Sequence, residues 1–242
     1  MSEQINILCM KWGSKYGPEY VNKLYGMVSR NLSRPFRFVC LTDNKEGIHP
    51  EVDCLPLPEL DLPPGAPERG WNKLTTFIDP LFDVEGKTLF LDLDVVIVGG
   101  LDCFFNLEGD FYIIRDFVRK DGTGNSSVYL FRAGAHADII EYFRKNFADI
   151  QKKHRNEQEF LSHYLLSRKQ LEYWPSEWCR SFKYDCLPGV VGSWFSESKV
   201  PENARVIIFH GNPNPDDAIC GVSGKWYRRV LPARWIEDHW RE

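Results

Sequence analysis

No apolar run in the 242 residues approaches the ~20 that a membrane-spanning helix needs, so no transmembrane segment is expected. No long basic block occurs and the net charge is −4, which argues against nucleic acid as the main partner. Arg144, Lys145, Lys152, Lys153 and Arg155 read as the solvated faces of helices around a turn. The seven cysteines, Cys9, Cys40, Cys54, Cys103, Cys179, Cys186 and Cys220, are odd in number and include no CxxC pair. They fit free thiols in a reducing cytosol better than a disulfide framework or a zinc site. The opening "MSEQINILCM" lacks a basic region ahead of its apolar stretch, so no signal peptide is expected and the location is read as cytoplasmic. No internal repeat, low-complexity tract or domain boundary is visible, and 1–242 is read as one domain.

What is present is an ordinary globular composition, 43% hydrophobic and 26% charged, with one anomaly. In "KTLFLDLDVVIVGG" (87–100) two carboxylates, Asp92 and Asp94, interrupt a run of Leu, Phe, Val and Ile. The run predicts a strand buried on both faces. Alternate strand residues share a face, so Asp92 and Asp94 are expected to point together and Leu93 the other way. Two buried like charges repel and are costly to desolvate. A cation between them removes both problems, and oxygen ligands suit Mg²⁺ or Mn²⁺. A surface strand end with two solvated aspartates is the plain alternative.

Around this segment the chain alternates. "INILCM" (5–10) predicts a strand, "GPEYVNKLYGMVSRNL" (17–32) a helix with Pro18 in its first turn, and "FRFVCL" (36–41) and "DCLPL" (53–57) two further strands. This β-α-β-β opening predicts an α/β protein whose sheet has parallel strands. A proline-rich loop (56–70) leads to a helix in "WNKLTTFIDPLF". Strands follow in "DFYIIRD" (110–116) and "SSVYLFRAG" (126–134), then helices over about 135–149 and 156–168. A late strand, "RVIIFH" (205–210), precedes an amphipathic helix in "ARWIEDHW". Trp174, Trp178, Trp194, Trp226, Trp235 and Trp240 crowd the last third of the chain. They serve either packing or an aromatic cleft for sugar rings.

The carboxylate pair admits three chemistries. "LFLDLDVVIV" fits the D-x-D-x-[TV] pattern of haloacid-dehalogenase-type phosphatases, with a nucleophile and a general acid. Against this, the late strand ends in His-Gly instead of Gly-Asp, and the motif lies mid-chain. The second reading is a sugar-nucleotide glycosyltransferase, in which a metal on the pair neutralises charge on a leaving diphosphate. His210 at a strand end would be the third ligand, with Gly211 permitting a sharp turn; its nitrogen favours Mn²⁺ over Mg²⁺. The third is a non-catalytic sugar-nucleotide-binding module.

Five motifs in order resemble the GT-A-fold retaining glycosyltransferases of the glycogenin and bacterial galactosyltransferase type. They are "WNKLTTF" (71–77), "LFLDLDVVIV", "NSSVYLF" (125–131), "NEQEFLSHYL" (156–165) and "FHGNPNP". The resemblance implies an α/β fold with a mixed, mostly parallel, Rossmann-like central sheet flanked by helices, in which Lys73 contacts the donor and Asn125 and Glu157 bind sugar hydroxyls. It sets Gln158 near the anomeric carbon, opposite the leaving group. Asp116 resembles a family carboxylate that holds donor or acceptor hydroxyls, or else is a strand-end turn residue. An amide at Gln158 is a poor nucleophile, so the expectation is a front-face, ion-pair-like retaining mechanism. Asn214 stands where the family has a lysine on the diphosphate, and Lys183 or Lys225 is expected to supply that charge. The base, uracil on the resemblance, is expected at Met10, Lys11, Trp12, Tyr16 and Asp43, at the carboxyl ends of the first two strands. The partners so implied are a nucleotide-sugar donor, a UDP-sugar by preference, and a glycan or other hydroxyl acceptor. The enzyme would be free in the cytoplasm or peripheral to a membrane where glycans are assembled. About 1–100 would form the nucleotide half and 101–242 the sugar and acceptor half.

Overall fold

The computed structural model describes residues 4–67, 70–223 and 230–242. The elements are β1 (Ile5–Lys11), α1 (Pro18–Asn31), β2 (Arg37–Thr42), β3 (Asp53–Pro56), β4 (Lys87–Leu91), β5 (Val96–Ile97), β6 (Phe111–Arg115), β7 (Gly124–Arg132), α2 (Ala137–Lys153), α3 (Glu157–Ser167), β8 (Glu172–Tyr173), β9 (Cys179–Ser181), α4 (Gly189–Gly192), β10 (Val206–Ile208), α5 (Pro215–Ile219) and α6 (Trp235–His239). The main sheet has the order β3-β2-β1-β4-β7-β6-β8. Strands β3, β2, β1 and β4 run parallel, and β7 is antiparallel to both β4 and β6. A second sheet, β5-β10-β9, stands apart. Among the described residues no helix is long and apolar enough to cross a membrane.

The sheet is covered on both faces, which is why β1 is buried at every residue. Ile7 and Cys9 enter one core with the buried stripe of α1 and the second sheet. Leu8 and Met10 enter the other, with α2, α3 and the turns of Trp71–Phe77. The period of two therefore feeds two cores. Helix α1 starts on Pro18, where a missing N–H costs nothing, and buries Tyr20, Val21, Leu24, Met27 and Val28 at spacings of one, three and four. In the second core Phe90 stacks on Tyr129 with centroids 4.6 Å apart, and Phe77 meets Phe131 at 5.3 Å. Each such ring contributes about 1.5–3 kcal/mol by leaving water. Cys9 lies directly across from Cys40, and Cys40 across from Cys54, so three thiols form a row over β1, β2 and β3.

Three expectations are corrected. The run 89–98 is not one strand: β4 ends at Leu91, a turn carries Leu93–Asp94, and β5 joins the other sheet. The segment Trp71–Phe77 is 3₁₀ in place of α-helical, and the tail helix is limited to Trp235–His239. The late tryptophans mostly pack. Trp174 and Trp240 are buried, Trp178 and Trp235 lie against the same core, and Trp194 is half-exposed. Trp226 lies outside the described residues.

Candidate active site

The sheet reverses direction between β4 and β7, so the end of β4 meets the start of β7. The Asp92 N–H donates to the Ser127 carbonyl at 2.9 Å, and the carboxylate turn is thereby tied to "NSS". Asp92 and Asp94 do interact, as expected, but through the turn and not through strand alternation. Leu93 between them is buried in the α1-side core.

The cation at Asp92 comes from the protein itself. Lys73 Nζ lies 2.6 Å from Asp92 Oδ1 and donates to the Ser126 carbonyl at 3.3 Å. Burial works against the Lys73 charge, but Asp92 and Glu157 more than restore it and hold its pKa above the usual lysine range. Glu157, at the first turn of α3, accepts from the Ser126 hydroxyl and is pushed up by burial, with Lys73 and Ser126 pulling the other way. Gly70 has φ 76°, and a Cβ there would come within 2.9 Å of Glu157 Oε2. This approach therefore needs glycine. Gln158 Oε1 accepts from the Ser126 N–H at 3.5 Å, and Asn125 Oδ1 from the Ser127 N–H at 3.1 Å. Lys73, Asp92, Ser126, Glu157 and Gln158 thus form one cluster, with Asn125 beside it on β7.

Asp94 is held differently. Its Oδ2 accepts from the Tyr16 hydroxyl at 2.7 Å. Burial and the neighbouring Asp92 push its carboxyl up, while Tyr16, Lys15 and Lys73 pull the other way. Asp92 has its counter-charge in Lys73, while Asp94 is held by the neutral Tyr16 hydroxyl, which fits a cation site. The chemistry of the donors fits as well: two carboxylates, and in His210 an imidazole held neutral by burial and by Lys183. Its Nε2 is buried without a hydrogen-bond partner. The three are not gathered, however. Among the described residues no three His, Cys, Asp or Glu side chains surround a common metal position. His210 packs on Phe117 at 4.8 Å, and Lys183 donates to its backbone carbonyl. Asp92 and Asp94 thus flank one turn after β4, and His210 follows β10.

The remaining residues fall near these groups in different ways. Gly211 has φ 62°, the turn expected of it. Asn214 caps α5 in a reciprocal box, its N–H donating to Asp217 Oδ2 at 3.1 Å. Lys225 lies outside the described residues. Met10 and Lys11 are buried at the end of β1, with Lys11 Nζ 3.4 Å from the Asn44 carbonyl. Trp12 packs on the α2-side core, and Asp43 Oδ2 accepts from the Gly13 N–H at 2.8 Å, joining the loops after β1 and β2. Tyr16, expected at the base, spends its hydroxyl on Asp94.

Asp116 acts within its own loop. Its Oδ1 accepts from the Val118 and Arg119 N–H groups at 2.8 and 2.7 Å, the self-bonding turn that aspartate favours. Asp116→Ala is expected to lose about 1 kcal/mol of stability, read from the shift of the denaturation midpoint. A variant as stable as the parent would free Asp116 from this role.

Sequence reasoning missed Ser126, Tyr20 and Asp216. The signal for Ser126 was available in the strand motif; that for Tyr20 and Asp216, 196 residues apart, was not. The groove of about 360 Å³ between α2 and α3, lined by His154, His163 and Arg168 among others, includes none of these site residues.

No family model and no curated protein matches the chain. Solved structures do. The galactosyltransferase LgtC, in complex with donor and acceptor sugar analogues, is 15% identical with a TM-score of 0.63 over 87% of this chain and 88% of that one. An active-site mutant of LgtC is 14% identical, with a TM-score of 0.61 over 87% and 89%. The apo-form glycosyltransferase GlyE of Streptococcus pneumoniae is 14% identical, with a TM-score of 0.59 over 88% of this chain and 56% of that one. At these identities the likeness is one of fold: the chain has the GT-A fold of these glycosyltransferases.

Proposed function

We propose that the protein is a metal-dependent glycosyltransferase that moves a sugar from a UDP-sugar to a hydroxyl acceptor with retention of anomeric configuration. The observation that supports this reading is the carboxylate turn at the end of β4, tied through Asp92 to Lys73 and to the stretch of β7 that holds Glu157 and Gln158. Asp92 and Asp94, with His210 as third donor, would hold Mn²⁺ or Mg²⁺, which supplies Lewis-acid neutralisation of the departing diphosphate. Lys73 orients Asp92 and contacts the donor. Glu157, steadied by Ser126 and Lys73, and Asn125 bind sugar hydroxyls. Gln158 offers its amide to the developing positive charge at the anomeric carbon. Lys183, on the segment that meets His210, supplies the charge that Asn214 lacks, alone or with Lys225. The loops after β1 and β2 take the base, and about 1–100 and 101–242 act as the two halves of one domain.

The likeness in fold to solved glycosyltransferases supports this reading over the dehalogenase-type phosphatase; release of phosphate from monoesters, with no nucleotide-sugar turnover, would favour the phosphatase instead. The test against a non-catalytic module is a donor-hydrolysis screen over nucleotide sugars with Mn²⁺. Slow hydrolysis of one donor supports the transferase and identifies the sugar. Binding without turnover of any donor, in the presence of acceptor panels, would assign a binding module. Inversion in the product's anomeric proton coupling would refute retention.

A further inference from the structure

Two tyrosine hydroxyls on one end of α1 and its preceding loop point at two aspartates that are far apart in the sequence. Tyr16 donates to Asp94 Oδ2 at 2.7 Å, and Tyr20 donates to Asp216 Oδ2 at 2.7 Å. The two rings touch, with centroids 4.6 Å apart. Tyr20 also meets Trp240 edge-on at 5.1 Å. Lys23 sits 3.8 Å from the other oxygen of Asp216 and 3.6 Å from the Trp240 ring centroid. Asp216 opens α5, the helix capped by Asn214 and reached from His210 through Gly211. A continuous path therefore runs from the carboxylate turn, through two touching, mutually tilted phenols, to the segment that carries His210.

We propose that Tyr16 and Tyr20 are positioning residues: Tyr16 fixes the Asp94 carboxylate in one rotamer, and Tyr20, through Asp216, registers the His210–α5 segment against it. The physical reason lies in the oxygens. A carboxylate with one oxygen committed to a phenol presents the other in a fixed direction, and partners of this kind orient metal ligands and govern metal affinity. A tyrosine can do so at low entropic cost, since its ring is rigid and packs on a neighbouring ring. The proposal rests on the metal–diphosphate reading above and extends it to residues that contact neither sugar nor nucleotide through their hydroxyls.

The experiment compares Tyr16→Phe, Tyr20→Phe and Asp216→Asn with the parent. The control is Tyr25→Phe, which takes a hydroxyl from α1 on its Phe38 side. Free Mn²⁺ is titrated by electron paramagnetic resonance with UDP present, and UDP binding is measured separately in chelator. Tyr16→Phe is expected to weaken Mn²⁺ binding about 10- to 100-fold, far more than it weakens UDP binding in chelator. Tyr20→Phe and Asp216→Asn are expected to weaken it at least about twofold and to speed amide exchange in 211–220 of the metal-free protein. The control should do none of this. Mn²⁺ affinity equal to the parent's in Tyr16→Phe, or loss of UDP binding in chelator equal to the loss with metal, would overturn the positioning role. If the parent binds no Mn²⁺ with UDP, the metal reading itself fails. Amide exchange then decides the rest: unchanged exchange in 211–220 on Tyr20→Phe overturns the path as well.

Discussion

Lys73→Met is expected to cost the unliganded protein about 3 kcal/mol, the cost of stranding a buried charge by removing its partner. For a chain of this length that is a fall in melting temperature of about 6–12 °C. The ammonium lies against Asp92 and adds to the field at Glu157 and Asp94. A methionine keeps the length of the side chain and its packing beside Phe90, so the loss reports charge. The pH dependence makes the assignment specific. Glu157 and Asp94 have pKa values raised by burial. A carboxyl whose folded pKa is raised favours the folded state below its unfolded pKa and loses that contribution as pH rises through the folded pKa. Without Lys73 both carboxyls hold protons more strongly. The deficit of the variant relative to the parent should therefore shrink as pH falls from 7 toward 5. Taking the difference at each pH cancels Asp121 and Glu159, whose pKa values are lowered and which weaken both proteins in acid. A deficit that is absent at pH 7, or that does not change with pH, would show that Lys73 does not neutralise this cluster.

Asp94→Asn is expected to abolish the joint stabilisation by UDP and Mn²⁺. A ligand specific for the folded state adds about 2.7 kcal/mol at a hundredfold excess over its dissociation constant, or about 5–10 °C here. In the parent, UDP and Mn²⁺ together should give this shift and either alone much less, since phosphate oxygens complete the coordination of the ion. Asparagine keeps an oxygen for the Tyr16 hydroxyl but removes a ligand charge. It also removes a carboxyl that burial and Asp92 already disfavour, so the unliganded variant should melt no lower than the parent. Differential scanning with UDP, with Mn²⁺ and with chelator separates the cases. Equal protection by UDP in chelator, or equal protection of the variant, would remove the carboxylate pair from the donor site.

The parallel half of the fold was legible because burial on both faces writes itself as unbroken apolar runs, and Pro18 announces α1. The break after Leu91 was not legible. Val95 to Val98 is as apolar as Leu89 to Leu91, and only pairing with β10, more than a hundred residues away, draws the chain into a second sheet. Short strands β8 and β9 escaped for the same reason: two or three residues have no period. In the site, Asp92 could be singled out from its chemistry, and Lys73, Glu157 and Gln158 from the family resemblance. Their mutual contacts could not, since Ser126 joins them through its hydroxyl and backbone. His210 was placed with the carboxylates by chemistry alone; its contacts with Phe117 and Lys183 depend on how β10 packs.

The row Cys9, Cys40 and Cys54 gives the molecule a built-in reporter of how it opens. Cys54 is half-buried on the edge strand, while Cys40 and Cys9 are fully buried one and two strands further in. Fraying of β3 alone exposes one thiol, loss of β2 a second, and only disruption of the interior strand β1 a third. Their order of alkylation in a native-state labelling series therefore distinguishes stepwise peeling from a single cooperative event. Because β1 and β2 also end in the loops that face the carboxylate turn, the same series measured with UDP would show whether nucleotide seals the sheet from this side.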